Sequence, residues 1–180
     1  MNIGLDLDGV VFDIEAISRY AFIYYGEEYY SPVDWEMSNY PSYIKTLIFK
    51  SFGNEYMMID MLPLLHSYSD IHSLLATWKS KGHNTYIVTS RSPNITLATK
   101  YKCNDYFGNV IEHLVVCDGS KIPAITEYKI NVLVDDSPKN IQECLDNNIK
   151  AIMISSENQI YNHYMRGSVE WHPTLLDVKL

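Results

Sequence analysis

Four short, almost purely apolar segments dominate the second part of the chain: NTYIVT at 84–89, HLVVC at 113–117, NVLVD at 131–135 and KAIMI at 150–154. Each has the length and composition of a strand buried on both faces. Between them run stretches with helical spacing. Ile71, Leu74, Leu75 and Trp78 mark one helix that stops at Lys81-Gly82, and others are expected near 93–107, near 120–128 and from Pro138 to about Asp146. Buried strands alternating with amphipathic helices predict an α/β fold with a doubly wound parallel sheet. Residues 2–5, in the opening MNIGLDLDGVVFD, add a fifth strand that runs into a turn at Gly9.

The rhythm is missing between about Asp13 and His66, where helices are expected from about Asp13 to Gly26 and from Pro41 to Gly53. Connections inside α/β units are usually a handful of residues, so this long one predicts a small helical cap inserted after the first strand. The domain reading is therefore a core of 1–12 and 68–180 with an insertion at 13–67. Ligands of such sheets bind at the carboxyl ends of the strands, which the insertion would overhang.

With 14 basic and 22 acidic residues, the formal charge of -8 gives no large positive field, so long nucleic acid is not an expected partner. No stretch approaches the ~20 apolar residues of a membrane span, and the first apolar run is broken by Asp6 before it can serve as a signal peptide. Cys103, Cys117 and Cys144 lack CxxC spacing and read as reduced thiols, so a cytoplasmic location is expected. The six histidines form no HxH or HExxH pattern and read as surface or core residues rather than zinc ligands.

Three strands end in polar residues: Asp6-Leu7-Asp8, Thr89-Ser90-Arg91 and Asp135-Asp136-Ser137. Two carboxylates two residues apart on a strand repel by roughly 1 kcal/mol in water and about 4 at a partly buried site, so a cation, a shared proton or solvation must compensate. Carboxylates, a hydroxyl and the ammonium of Lys121 at one sheet edge suit Mg2+ and phosphate, since a hard dication takes oxygen ligands and a phosphate takes cations and donors. Each piece has a plainer reading when taken alone. Ser137-Pro138 is a good helix start, and Lys121 could be a solvated helix residue.

These residues resemble the motifs of the haloacid-dehalogenase-like (HAD) phosphatase superfamily. DLDGV at 6–10 is similar to its first motif, VTSR at 88–91 to its second, Lys121 to its third and VLVDDSPKN at 132–140 to its fourth. The resemblance implies a Rossmann-like core in which Asp6 is the nucleophile and Asp8 the general acid and base. It implies that Thr89 bonds the phosphoryl oxygens and that Lys121 neutralises charge on nucleophile and phosphate. Asp6, Asp135 and the backbone carbonyl of Asp8 would hold Mg2+, with Asp136 on the metal's waters. Ser90 and Arg91 are the further candidates for substrate contact.

Within the superfamily the chain is most like the 5'(3')-deoxyribonucleotidases, in its DLDGV opening, TSR, DDSPKNI and insertion length. That implies an Mg2+-dependent phosphomonoesterase acting on nucleoside monophosphates through an aspartyl-phosphate. The alternatives are a phosphatase for another small phosphate, a sugar phosphate or a nucleic-acid 3' end, and a non-catalytic binding protein on the same fold. A phosphoacceptor signalling domain fits less well, because there the acidic pair leaves the first strand. The insertion is rich in aromatics that first supply packing. Trp35, in the loop-like SPVDWEMSNY, is the candidate lid over a base, with core packing the competing reading. The expected partner is a small phosphomonoester, and a homodimer is left open.

Overall fold

The computed structural model describes residues 1–13, 15–34, 37–52, 68–155 and 165–180. In chain order the elements are β1 (Asn2–Leu5), α1 (Glu15–Tyr24), α2 (Ser42–Phe52), α3 (Tyr68–Ser80), β2 (Asn84–Thr89), α4 (Thr96–Phe107) and β3 (His113–Val116). They continue with α5 (Ile122–Glu127), β4 (Val132–Asp135), α6 (Pro138–Asp146), β5 (Lys150–Ile154) and β6 (Glu170–His172). The strands form one six-stranded sheet in the order β3-β2-β1-β4-β5-β6, and every neighbouring pair is parallel. The predicted fold class is therefore the observed one, with one strand more than expected.

The sheet is sandwiched because its strands are apolar on both faces. Ile3, Leu5, Val132, Val134, Ile152 and Ile154 point into one hydrophobic cluster. Val88, Leu133, Ala151 and Met153, at the alternate positions, point into another beneath α5 and α6. The apolar residues of α1 and α2, Ile17, Phe22, Ile44 and Ile48 among them, join the first cluster. Among the described residues no helix is long and apolar enough to cross a membrane.

Strand order reverses around β1, which lies between β2 and β4. This is the switch point where neighbouring connections leave to opposite sides and open a crevice at the strands' carboxyl ends. Leu5 is in register with Val134, and the Asp6 amide donates to the Val134 carbonyl at 2.9 Å, which sets Asp6 beside Asp135. Sequence motifs far apart in the chain thus meet at one edge.

Candidate active site

Asp6, Asp8, Thr89, Ser90, Arg91, Lys121 and Asp136 line one cavity of about 630 Å³ at that edge. Asp135 lies beneath it, fully buried. Trp35 lies outside the described residues. Every other candidate from the sequence is therefore brought to one place.

The loop after β1 is tied to itself: the Val11 and Phe12 amides both donate to the Leu7 carbonyl at 2.8 Å, and the Gly9 amide donates to the Phe12 carbonyl at 2.9 Å. Gly9 has φ +84°, a left-handed conformation that disfavours a side chain. A Cβ there would also lie 2.0 Å from Asp136 Oδ2. Glycine at this point is what lets the Asp136 carboxylate approach the loop backbone.

The Lys121 ammonium, only 2% exposed, donates to Asp6 Oδ1 and to Asp135 Oδ2, each at 2.6 Å. The loop that carries it is pinned by Ser120, whose hydroxyl donates to Glu143 on α6 at 2.8 Å. Burial works against the Lys121 charge, but Asp135 and Asp6 outweigh it and raise the pKa above the usual lysine range. Asp135 takes two further supports, the Ser137 amide at 2.8 Å and the Asn140 side-chain amide at 3.1 and 3.0 Å. It is anchored from three directions.

Asp8 turns elsewhere. Its two carboxylate oxygens accept from Arg91 Nη2 at 2.6 Å and Nε at 2.8 Å, a two-point bond. The mutual repulsion foreseen for the acidic pair is thus eased by separate cations, Lys121 for Asp6 and Arg91 for Asp8. Negative charge is still in excess, since four carboxylates share two cations. Burial pushes the Asp6 carboxyl up to about 7, Lys121 pulls it down, and Asp135 and Asp8 add to the rise. Burial, then Asp6 and Asp135, likewise raise Asp136 well above the ordinary carboxylate range.

A divalent cation fits this arrangement. Carboxylate oxygens of Asp6, Asp135 and Asp136 lie within 4.8 Å of one another, the only such acid, histidine or cysteine group among the described residues. All are hard oxygen donors, the set that Mg2+ prefers, and the excess negative charge is of the right size.

Three lining residues carry no role in the sequence reading. Phe49 of α2 is 59% exposed although apolar and reaches the cavity; helical aromatics look alike in sequence, whether packed or presented. Lys139 is exposed at the rim and makes no ion pair among the described residues. Asn140 belongs to the DDSPKN run, but its bond to Asp135 depends on how α6 starts.

No protein-family model matches the chain, and no curated protein matches it in sequence. Solved structures share its fold. CbbY from Rhodobacter sphaeroides, in complex with phosphate, has a TM-score of 0.62 at 14% identity, covering 98% of this chain and 95% of that one. A haloacid dehalogenase-like family hydrolase from Streptococcus pneumoniae has a TM-score of 0.59 at 14% identity, covering 94% and 91%. Protein Tyrosine Kinase A of Mycobacterium tuberculosis has a TM-score of 0.55 at 16% identity, covering 86% and 83%. The chain has the α/β fold of the haloacid-dehalogenase-like hydrolases. At such identities the likeness establishes the fold and leaves the activity to be argued from the site.

Proposed function

We propose that the protein is an Mg2+-dependent phosphomonoesterase. The observation that carries this reading is the Asp6 carboxylate, at the switch point of the sheet, held by Lys121 beside Asp135 and Asp136 and open to a cavity shared with Asp8. Asp6 attacks phosphorus and forms an aspartyl-phosphate, dividing one displacement into two easier ones. Lys121 favours the ionised form of the attacking carboxylate and balances charge gathering on the phosphoryl group. Asp8 gives a proton to the leaving oxygen, then takes one from the water that hydrolyses the acyl phosphate. Thr89, at the end of β2, offers its hydroxyl to a phosphoryl oxygen. Asp6, Asp135 and Asp136 are the side chains that would hold Mg2+, which when bound supplies charge neutralisation for the phosphoryl group.

The tyrosine kinase among the structural neighbours shows that the fold alone does not choose hydrolysis. An acid at position 8, facing the same cavity as Asp6, can protonate a leaving oxygen and activate an incoming water. The narrower reading is a nucleoside monophosphate as substrate. It is supported by Phe49, an exposed aromatic ring reaching the cavity from residues 13–67, which we take as the cap.

The test is phosphate release from a panel of nucleoside 5'- and 3'-monophosphates, sugar phosphates and para-nitrophenyl phosphate, with Mg2+ and with EDTA. Mg2+-dependent release with nucleotides turned over at the highest kcat/KM is the expected result. A sugar phosphate outrunning every nucleotide overturns the narrower reading and leaves the Asp6 chemistry standing. Release from none of them overturns both.

A further inference from the structure

Arg91 stands where a phosphate-binding cation would be expected, yet its hydrogen bonds go to the protein. Nε and Nη2 are both bonded to Asp8, and Nη1 donates to Thr99 Oγ1 of α4 at 3.3 Å. Its guanidinium carbon lies 5.3 Å from the centre of the Phe12 ring, and the side chain is 4% exposed. Nitrogens and packed face are held from two elements, the Asp8–Phe12 turn and α4. Lys121 is committed in the same way to Asp6 and Asp135. That leaves Lys139, at the rim, as the lining cation able to meet an incoming anion.

We propose that Arg91 is the positioning residue of Asp8: its planar fork holds the carboxylate in one plane and keeps it away from the Asp6, Lys121 and Asp135 cluster. The proposal rests on the reading above of Asp8 as proton donor. A free Asp8 could rotate about χ1 and χ2 toward Lys121, the other buried cation of the site, and leave the leaving group without a partner. The fork also survives proton transfer. The hydroxyl oxygen of a protonated carboxyl still accepts an N–H while donating its own hydrogen to the leaving oxygen. A lysine at 91 would keep the charge but lose the two-point geometry, because an ammonium is a point donor with no plane.

The test uses the full chain with Mg2+ and two substrates, 2,4-dinitrophenyl phosphate and an alkyl phosphomonoester. The first leaving group departs without a proton, whereas an alkoxide needs one. The kcat/KM values report steps up to phosphorylation of Asp6. Asp8→Asn should lower kcat/KM for the alkyl ester by about 100-fold or more and for the aryl ester far less, the usual size of general acid catalysis. Arg91→Gln and Arg91→Lys should show the same imbalance, at least about tenfold against the alkyl ester, from lost orientation. In the Arg91→Gln, Asp8→Asn double variant the alkyl ester should fall no further than with Asp8→Asn alone, because Arg91 acts through Asp8.

Equal loss on both substrates with rescue by Arg91→Lys would make Arg91 a phosphate binder and overturn the proposal. So would a lowered melting temperature with no imbalance between substrates. An imbalance for Asp8→Asn without one for the Arg91 variants refutes the clamp and leaves the phosphatase mechanism intact. No imbalance even for Asp8→Asn removes both. Should Arg91→Gln fail to fold, Thr99→Val, which takes away only the Nη1 support, should give a smaller imbalance of the same sign; its absence then counts against the clamp.

Discussion

The two halves of the site solve the same electrostatic problem in different ways. On one side Lys121 is divided between Asp6 and Asp135, with Asp136 close by, so a single cation serves a crowd of carboxylates. On the other, Arg91 gives two nitrogens to Asp8 alone. The first half is under-neutralised as well as buried; burial first, then Asp135 and Asp8, raise the Asp6 carboxyl against the pull of Lys121, which suits a place where a cation and a phosphoryl group would arrive. The second is locally balanced, which suits a group that must keep its orientation. Burial magnifies the contrast, since charges out of water interact strongly and cannot borrow solvent.

The largest effect should come from Asp6, the proposed nucleophile. Asp6→Asn should leave no more than a few per cent of wild-type phosphate release, an amide being a poor nucleophile and a poor Mg2+ ligand. Melting should hold or rise, because Lys121 keeps Asp135 as its partner at 2.6 Å. Retained turnover would remove Asp6 from the nucleophile's role. Chelation with EDTA should abolish turnover in the wild type in the same assay, and Mg2+ should restore it.

Asp8→Asn should behave differently in stability. It removes the charge and one of the two acceptors that face a buried guanidinium with no second carboxylate bonded to it, and breaking a buried pair costs up to about 3–5 kcal/mol. Urea denaturation of the two variants checks the comparison. Equal midpoints for Asp6→Asn and Asp8→Asn would mean that the two halves do not differ as described.

A smaller effect separates substrates. Phe49→Ala should lower kcat/KM for a nucleoside monophosphate by about 5- to 150-fold if the ring stacks on the base, an interaction worth roughly 1–3 kcal/mol. Para-nitrophenyl phosphate should change little. An equal loss on both would assign Phe49 to shaping the cavity rather than reading the leaving group.

A further effect is in pH dependence without metal. Asp6 has its carboxyl pushed from 3.8 to about 7 in the folded state, so between those values the folded chain binds more protons than the unfolded one. Stability contributed by this group is therefore lost as pH rises from about 4 to about 7 and changes no further above that. In EDTA, the melting temperature of Asp6→Asn relative to wild type should climb across this window and level off beyond it. Saturating Mg2+ should flatten the trend, since the cation replaces the proton. A difference independent of pH would show that Lys121 already neutralises Asp6.

Much of the fold was legible in the sequence because its signals are local. NTYIVT and KAIMI are strands at the expected residues, and Pro138 opens α6 where Ser137-Pro138 indicated. Strand β6 was not legible. Its three residues, Glu170, Trp171 and His172, have no apolar run and become a strand only by lying in register with Ile152, Met153 and Ile154 at the sheet edge. In the site, the polar strand ends announced themselves, yet their pairings did not. The expectation that Arg91 would face substrate came from its place in the TSR run; its bond to Asp8 spans 83 residues of chain.

By itself, then, the sequence determined the alternation of strands and helices, the polar residues at the strand ends and the turn at Gly9, all written in periods and neighbours a few residues apart. Tertiary structure alone decided that Lys121, 115 residues from Asp6, lies between it and Asp135, that Arg91 is bound to Asp8 and that Phe49 meets the cavity. The physical reason is that hydrophobic periodicity specifies which side of an element is buried, whereas the partner of a buried charge is set by strand order. With β1 between β2 and β4, the ends of three strands converge, and each carboxylate takes the cation the sheet brings within reach.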